Sequence, residues 1–268
     1  MKYEFINFTV MTSPYIFHTD DVDFLHDYPS WHEALEIIYV KDGAGIAYVD
    51  SEKFEIKPND IIIANSGSIH NFVGNPFVKY HCLIADDRFC EQNGLDITKI
   101  RFCPKVNDEK ICRTYDEFVN QIENESSKYG ELGIRAYLLK LLYEIAENYT
   151  QSQSEFKEQN TEMINTVKNI MDYIGKNFSK KITVDEIIKK SGFSRAYFSR
   201  EFKRITQKTI VDYINTVRCI HAAELIEKKK IKISEAALLC GFESPAYFSK
   251  IYKKTMKKSP SDMLKKVQ

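Results

Sequence analysis

Between residues 34 and 85 the chain alternates short apolar runs with turn-forming residues. Runs such as LEIIYV and DIIIA are separated by DG, DS, PND, NSGS and GNP at roughly regular intervals, which is typical of short strands joined by tight turns. Strands connected in this way form an antiparallel sandwich or a small barrel. We therefore predict an antiparallel β-barrel for residues 1–105.

After the predicted barrel the apolar spacing changes to the helical period, and helices are predicted over 109–125 and 131–149. The second helix carries one wide apolar stripe that needs a partner. That partner is either the barrel or the same helix of a second copy, and we assign 106–149 to a helical dimerisation segment and expect a homodimer. The stripe consists of Leu132, Leu138, Leu139, Leu142, Ile145 and Ala146.

The segment TQSQSEFKEQN, residues 150–160, is polar and has almost nothing to bury. We interpret it as a linker between domains. Everything after it has helical spacing, so residues 161–268 are predicted to form a second, all-α domain.

Two stretches of this second domain, fifty residues apart, have nearly the same sequence. GFSRAYFSR at 192–200 and GFESPAYFSK at 241–250 share AYFS, and matching Lys and Asp residues continue the similarity beyond them. Each copy is interpreted as helix, tight turn, helix, which is a helix-turn-helix motif.

The start and stop signals of these helices occupy matching places in the two copies. They are a capping box of Thr183 with Glu186, then Gly192 and Ser194 in the first copy, and Ser234, Gly241 and Ser244 followed by Pro245 in the second. A cap of Thr209 with Asp212 begins a connecting helix of about 18 residues, or ~27 Å. That length suits two recognition helices in successive major grooves, which lie ~34 Å apart.

The second helix of each unit has an inner and an outer face. Phe198 and Phe202 lie four residues apart and are predicted to dock on the first helix. Small residues on the outer face allow close approach to a major groove, where Arg can reach guanine and Lys can reach phosphates. Double-stranded DNA is therefore the predicted partner of Arg195, Ala196, Ser199, Arg200, Lys203 and Arg204, and of Ser244, Pro245, Ala246, Ser249, Lys250 and Lys253.

The formal net charge of zero hides a separation of charge between the two parts of the chain. Residues 161–268 contain 23 Lys and Arg against 11 Asp and Glu, and residues 1–160 contain 15 against 27. A basic helical domain attached to an acidic domain indicates a polyanion partner for the former and a different role for the latter.

The six cysteines form no C-x-x-C pair, which disfavours a zinc ribbon or a dense disulfide framework and fits a reducing compartment. The N-terminus lacks the apolar core of a signal peptide, and no run approaches 18 apolar residues. We expect a cytoplasmic protein without a membrane partner.

Residues 165–266 resemble the DNA-binding domain of the AraC/XylS family of bacterial transcription regulators. The resemblance is carried by GFSRAYFSREFK, VRCIHAAELI, ISEAALLCGFESPAYFSKIYKK and SPSDM. Gln207 and Lys257 depart from the family, which usually has glycine there, so altered turn geometry is expected. The resemblance implies a sequence-specific, effector-controlled regulator that is not an enzyme, and that contacts RNA polymerase if it is an activator.

The acidic domain resembles the cupin-like arm of sugar-responsive members of that family. SWHEALEIIYVKDGAG follows the cupin pattern H-x-H-x3-E-x6-G with Ser30 in place of the first histidine, and KPNDIIIANSGSIHNF resembles the second cupin motif with Asn59 in place of its glycine. His32, Glu36 and His70 then stand at three ligand positions.

These three residues allow a metal site, a pocket for a small organic effector, or ordinary buried hydrogen bonding. On a straight strand, positions 32 and 36 lie ~13 Å apart, so a metal site would need a bend. We predict an effector pocket for a sugar or related metabolite, with Trp31 either stacking on it or packing, and we expect no metal and no cofactor. The alternatives in other classes are a metal-dependent cupin enzyme fused to a nucleic-acid-binding module, and a non-specific architectural protein.

Overall fold

The computed structural model describes residues 14–23, 28–124, 126–151 and 161–262. The first part of the described chain is an antiparallel sheet with helices, and the second part is all-helical. This is the predicted fold class. Residues 152–160, most of the predicted linker, lie outside the described residues.

One antiparallel sheet contains all the strands of the described residues. Its strand order is β1-β5-β2-β4-β6, and β3 pairs with β2. The strands are β1 Tyr15–Asp23, β2 Leu35–Val49, β3 Glu52–Ile56, β4 Ile61–Ala64, β5 His70–Ala85 and β6 Lys105–Val106.

Two of the five predicted turns are wrong, because DG and GNP lie inside the long strands β2 and β5. The pairing of β2 with β5 shifts register between Val40 and Asp42 and again between Gly43 and Gly45. A bulge of this kind bends a strand without ending it. The other three signals do form turns, with positive φ at Asp50, Asn59 and Gly67.

Side chains of β2 alternate between two cores, since successive residues of a strand point to opposite faces. Leu35, Ile37 and Tyr39 pack with the helices, whereas Ile38 and Val40 join a core made only of strand residues. Glu36 therefore lies on the face that points into the folded sheet.

The helices of the first part lie at the predicted places. They are α1 Asp87–Gln92, α2 Glu109–Glu123 and α3 Gly130–Tyr149. Leu138, Leu142 and Ile145 are buried with α2 and the sheet, so the sheet domain is the partner for most of the apolar stripe of α3. Leu132 remains 67% exposed.

The second part contains two helix-turn-helix units joined by one long helix. Its elements are α4 Thr161–Asn177, α5 Val184–Ser191, α6 Arg195–Thr206, α7 Ile210–Lys229, α8 Ile233–Leu239 and α9 Pro245–Met256. The units are α5 with α6 and α8 with α9. Phe198 and Phe202 are buried against the first unit as predicted, and Phe248 and Tyr252 are buried in the second.

Most of the predicted caps are confirmed. The side chains of Thr183, Ser194, Thr209 and Ser244 accept hydrogen bonds from the first turn of α5, α6, α7 and α9. In the predicted capping box, the carboxylate of Glu186 accepts instead from the hydroxyl of Tyr173. The prediction that Ser234 starts α8 is wrong, because α8 begins at Ile233 and Lys232 is its N-cap residue.

Candidate nucleic-acid interface and effector site

The outer faces of α6 and α9 form the candidate nucleic-acid interface. On α6, Arg195, Ala196, Arg200, Lys203 and Arg204 are exposed and Ser199 is half-buried. On α9 and its cap, the exposed residues are Ala246, Ser249, Lys250 and Lys253, and the half-buried ones are Ser244 and Pro245. The structure thus brings each predicted set together on one helix face, although the hydroxyl of Ser244 is occupied in capping α9.

The arginines of α6 are held by carboxylates of the same domain. Glu201 accepts from Arg204 at 2.8 Å and from Arg200 at 3.3 Å, and Arg195 pairs with Asp185. Hydrogen bonding to Arg204 is the main cause that lowers the pKa of Glu201. Exposed pairs of this kind contribute little to stability, so the guanidinium groups can exchange these carboxylates for phosphate or base edges.

Helix α7 fixes the position of the two units relative to each other. Its first half, with Tyr213 and Val217, is buried in the core of the first unit, and its second half, with Ala222 and Ile226, is buried in the core of the second. Arg218, between the halves, donates to the carbonyl oxygens of Phe178 and Lys180 at 2.8 and 2.9 Å and lies over the ring of Phe242. Sequence reasoning missed Arg218, because its role depends on contacts across the two units.

His32, Glu36 and His70 meet at one point inside the sheet domain. One carboxylate oxygen of Glu36 lies 2.9 Å from Nε2 of His32 and 3.2 Å from Nε2 of His70. The side chains are 13%, 10% and 4% exposed in the order His32, Glu36, His70. His32 precedes β2, so the chain turns before Glu36 and the straight-strand separation does not apply.

The outer nitrogen of each imidazole faces a backbone carbonyl. Nδ1 of His32 lies 3.1 Å from the carbonyl oxygen of Ala34, and Nδ1 of His70 lies 3.0 Å from that of Ser68. Burial alone would raise the pKa of Glu36, but His70 and His32 hold it well below its ordinary value. Burial alone would lower the pKa of His70, but Glu36 raises it.

The two segments that carry the histidines also contact the helical domain. Trp31 lies under the ammonium group of Lys168, at 4.8 Å from the ring centroid, and its indole N–H donates to Asp172. Ile69 is buried in one apolar cluster with residues of α4 and α6. Trp31 therefore serves in packing between the domains, which the sequence left open.

A second interdomain contact lies beside the first. The hydroxyl groups of Tyr28 and Tyr213 are 3.0 Å apart, and their rings are stacked at 5.4 Å. Sequence reasoning missed both residues, since neither belongs to a motif. Across the described ranges, no helix is long and apolar enough to cross a membrane.

Solved structures share this fold. The regulator ToxT of Vibrio cholerae superimposes with a TM-score of 0.54 at 15% identity, covering 94% of this chain and 97% of ToxT. A second structure of ToxT, bound to an unsaturated fatty acid, gives a TM-score of 0.52 at 16% identity, covering 93% of this chain and 94% of that one.

Sequence comparison gives the family. The AraC-like ligand binding domain matches residues 15–142, and the helix-turn-helix domain matches residues 187–266. A helix-turn-helix transcriptional regulator of Pseudoalteromonas carrageenovora is 34% identical over 114 residues, covering 41% of this chain and 68% of that protein. The lactose operon transcription activator of Staphylococcus xylosus is 26% identical over 240 residues, covering 83% of this chain and 81% of that protein. The chain belongs to the AraC family of DNA-binding transcriptional regulators.

Proposed function

We propose that the protein is a cytoplasmic, sequence-specific transcriptional activator that binds double-stranded DNA and recruits RNA polymerase in response to a small molecule. The observation that carries the DNA-binding part is the pair of outer faces on α6 and α9, each exposed, basic and rich in small residues. One connecting helix of 20 residues joins the two units, which at ~1.5 Å per residue is about 30 Å long. That length supports recognition of two successive major grooves by one chain.

Two relatives support activation. The lactose operon transcription activator of Staphylococcus xylosus and the transcriptional activator RhaR of Mannheimia succiniciproducens both match over most of this chain. The name of the first also favours a sugar or a related metabolite as the effector. Because the matched relatives are regulators, we assign no catalytic reaction to the sheet domain.

The proposed effector site is the cluster of His32, Glu36 and His70. It lies on the inner face of the sheet beside an apolar core that includes Phe72. A few convergent polar groups on an apolar wall are typical of small-molecule sites. The position of the cluster next to Trp31 and Ile69 gives a bound molecule a direct route to the DNA-binding domain.

Substitutions on the two outer faces test the DNA-binding proposal. An operator is first selected from random duplexes with the purified full-length protein, and binding is then measured by fluorescence anisotropy at several salt concentrations. Arg200→Ala and Lys250→Ala are each expected to weaken operator binding by about 1–3 kcal/mol, because each removes a contact to a base or phosphate.

Lys99→Ala is the control, since it removes one exposed positive charge from the sheet domain. It should leave operator binding unchanged. If both outer-face variants keep their circular dichroism spectrum and also bind like the parent protein, the assignment of α6 and α9 to the grooves is wrong. Equal affinity for all duplexes would instead identify a non-specific architectural protein.

A further inference from the structure

We propose that His32, Glu36 and His70 bind one divalent transition-metal ion, and that this ion controls the contact between the sheet domain and the DNA-binding domain. The proposal rests on the proposed function of this cluster as the sensing site and names a chemical class for what is sensed there. Three observations support it: the hydrogen-bond inventory, the ligand geometry and the position of the cluster beside α4.

The hydrogen-bond inventory of the cluster favours a cation. Each imidazole has a backbone carbonyl at Nδ1 and the same carboxylate oxygen of Glu36 at Nε2. Carbonyl and carboxylate oxygens only accept, so without an ion both rings must carry two protons and two cations must share one buried carboxylate. With an ion in the cluster, each ring keeps its Nδ1 proton and presents an Nε2 lone pair, and the buried charges balance more closely.

The ligand geometry suits a small divalent ion. The Nε2 and carboxylate atoms of the three residues lie within 4.8 Å of one another. In tetrahedral coordination with bonds of ~2.0–2.1 Å, neighbouring ligand atoms lie ~3.3 Å apart, close to the 2.9 and 3.2 Å separations from Glu36. Modest side-chain movement would therefore admit an ion.

The surroundings of the ligands are those of a built metal site. Two histidines and one carboxylate favour zinc, iron or a neighbouring first-row metal over calcium or magnesium. The carbonyl oxygens of Ala34 and Ser68 fix the ring orientation, a feature that metal-binding histidines usually have. Three protein ligands leave a coordination position for water or for an oxygen of an organic effector.

The ligands are adjacent in sequence to residues that contact the DNA-binding domain. Trp31 precedes His32 and contacts Lys168, and Ile69 precedes His70 and packs with Met163 and Val167 of α4. Backbone hydrogen bonds between Ser30 and His70, at 2.9 and 3.0 Å, tie the two segments together. An ion that fixes both imidazoles also fixes the surface on which α4 rests.

Metal titration of the full-length protein tests the site. The protein is freed of metal with a chelator, and Co²⁺ is added while visible d–d absorption is recorded; Zn²⁺ is counted by elemental analysis after dialysis. We expect about one ion per chain and, for Glu36→Gln, an affinity at least about 100-fold lower, because loss of a ligand exceeds the 10–100-fold effect of losing an outer partner.

Two variants make the titration decisive. Glu36→Gln keeps the size of the side chain and still offers an oxygen to the histidines, so its fold is checked by circular dichroism and thermal unfolding. His81→Ala removes a histidine from the same strand, β5, outside the cluster, and should bind like the parent protein. Binding of less than about 0.1 ion per chain, or unchanged binding by Glu36→Gln, would overturn the site.

Control of the interface is tested by the operator affinity of metal-free and Zn²⁺-loaded protein. We expect at least about a 5-fold difference for the parent protein, the lower end of usual allosteric coupling, and none for Glu36→Gln. Trp31→Ala should bind metal normally but lose the difference. Equal operator affinity in both states of the parent protein would refute the coupling, whereas failure of Arg200→Ala to weaken DNA binding would refute only the proposed DNA interface.

Discussion

Gly192 and Gly241 occupy the same place in the two helix-turn-helix units but have different surroundings. Both are left-handed, with φ of 72° and 82°. A Cβ on Gly192 would meet nothing within 4 Å, whereas one on Gly241 would lie 2.7 Å from the carbonyl oxygen of Phe178 and 2.8 Å from that of Ser179. The second turn therefore needs glycine for space as well as for conformation.

Alanine at these two positions is expected to have unequal effects. Gly192→Ala should lower the free energy of unfolding by about 1–2 kcal/mol, the cost of a left-handed residue with a Cβ. Gly241→Ala should cost a further ~1–3 kcal/mol, because backbone atoms after α4 would have to move. Urea unfolding of the full-length variants, followed by circular dichroism, measures both. Equal losses would show that the close approach at Gly241 contributes nothing.

The candidate effector site shows how far sequence alone reaches at the level of single residues. The spacing of His32, Glu36 and His70 pointed to one site, but a straight strand would have separated the first two. They converge because His32 lies before β2 begins, and because the backbone of His70 pairs with Ser30. Neither fact is written in the local pattern, since both depend on where distant strands pair.

At the level of elements, the helix ends were more predictable than the strand ends. Capping is local, so Thr183, Ser194 and Ser244 could be assigned from their neighbours. DG and GNP were misassigned as turns because a bulge uses the same residue types as a turn. Ser234 failed as a cap because Ile231 and Ile233 pack on the second-unit core, which places the start of α8 earlier than the serine.

The two recognition helices end on non-glycine residues in the left-handed region, as their departure from the family pattern suggested. Gln207 has φ of 59° and Lys257 has φ of 54°. Lys257→Gly should raise the free energy of unfolding by about 0.5–1 kcal/mol, because glycine avoids the left-handed cost but loses more chain entropy. Gln207→Gly should gain less, since the Gln207 amide donates to the carbonyl oxygen of Arg204 at 2.6 Å. Thermal and urea unfolding compare the two; a loss of stability for Lys257→Gly would contradict this account.

For the whole molecule, the contact between the domains was the least predictable feature. Trp31 and Ile69 belong to the sheet domain in sequence, yet they contact α4. The charge separation does not identify this surface, because its core is aromatic and aliphatic and only Lys168 and Asp172 bring charge to the Trp31 ring. The pairing of such faces is determined by tertiary packing, so residue patterns alone could not place it.

The outward face of α3 is the surface we propose for dimerisation. Leu132 and Tyr143 are 67% and 64% exposed, and with Ala136 and Leu139 they follow the spacing of a single helix face. Since the rest of the stripe is buried within the chain, only this face remains for a second copy. Two such helices packed along this line would cover the four residues in each chain.

Charge placed on that face should separate the subunits. Leu132→Glu and Tyr143→Glu are each expected to weaken the dimer by more than about 100-fold, because an unpaired carboxylate would be buried at the centre of the interface. Light scattering after size-exclusion chromatography, over a range of protein concentrations, gives the mass. Leu238→Glu makes the same change at a leucine that is 56% exposed on α8 and should leave the mass unchanged. A parent protein that is monomeric throughout, or a dimer that survives both changes on α3, would show that this face is not the interface.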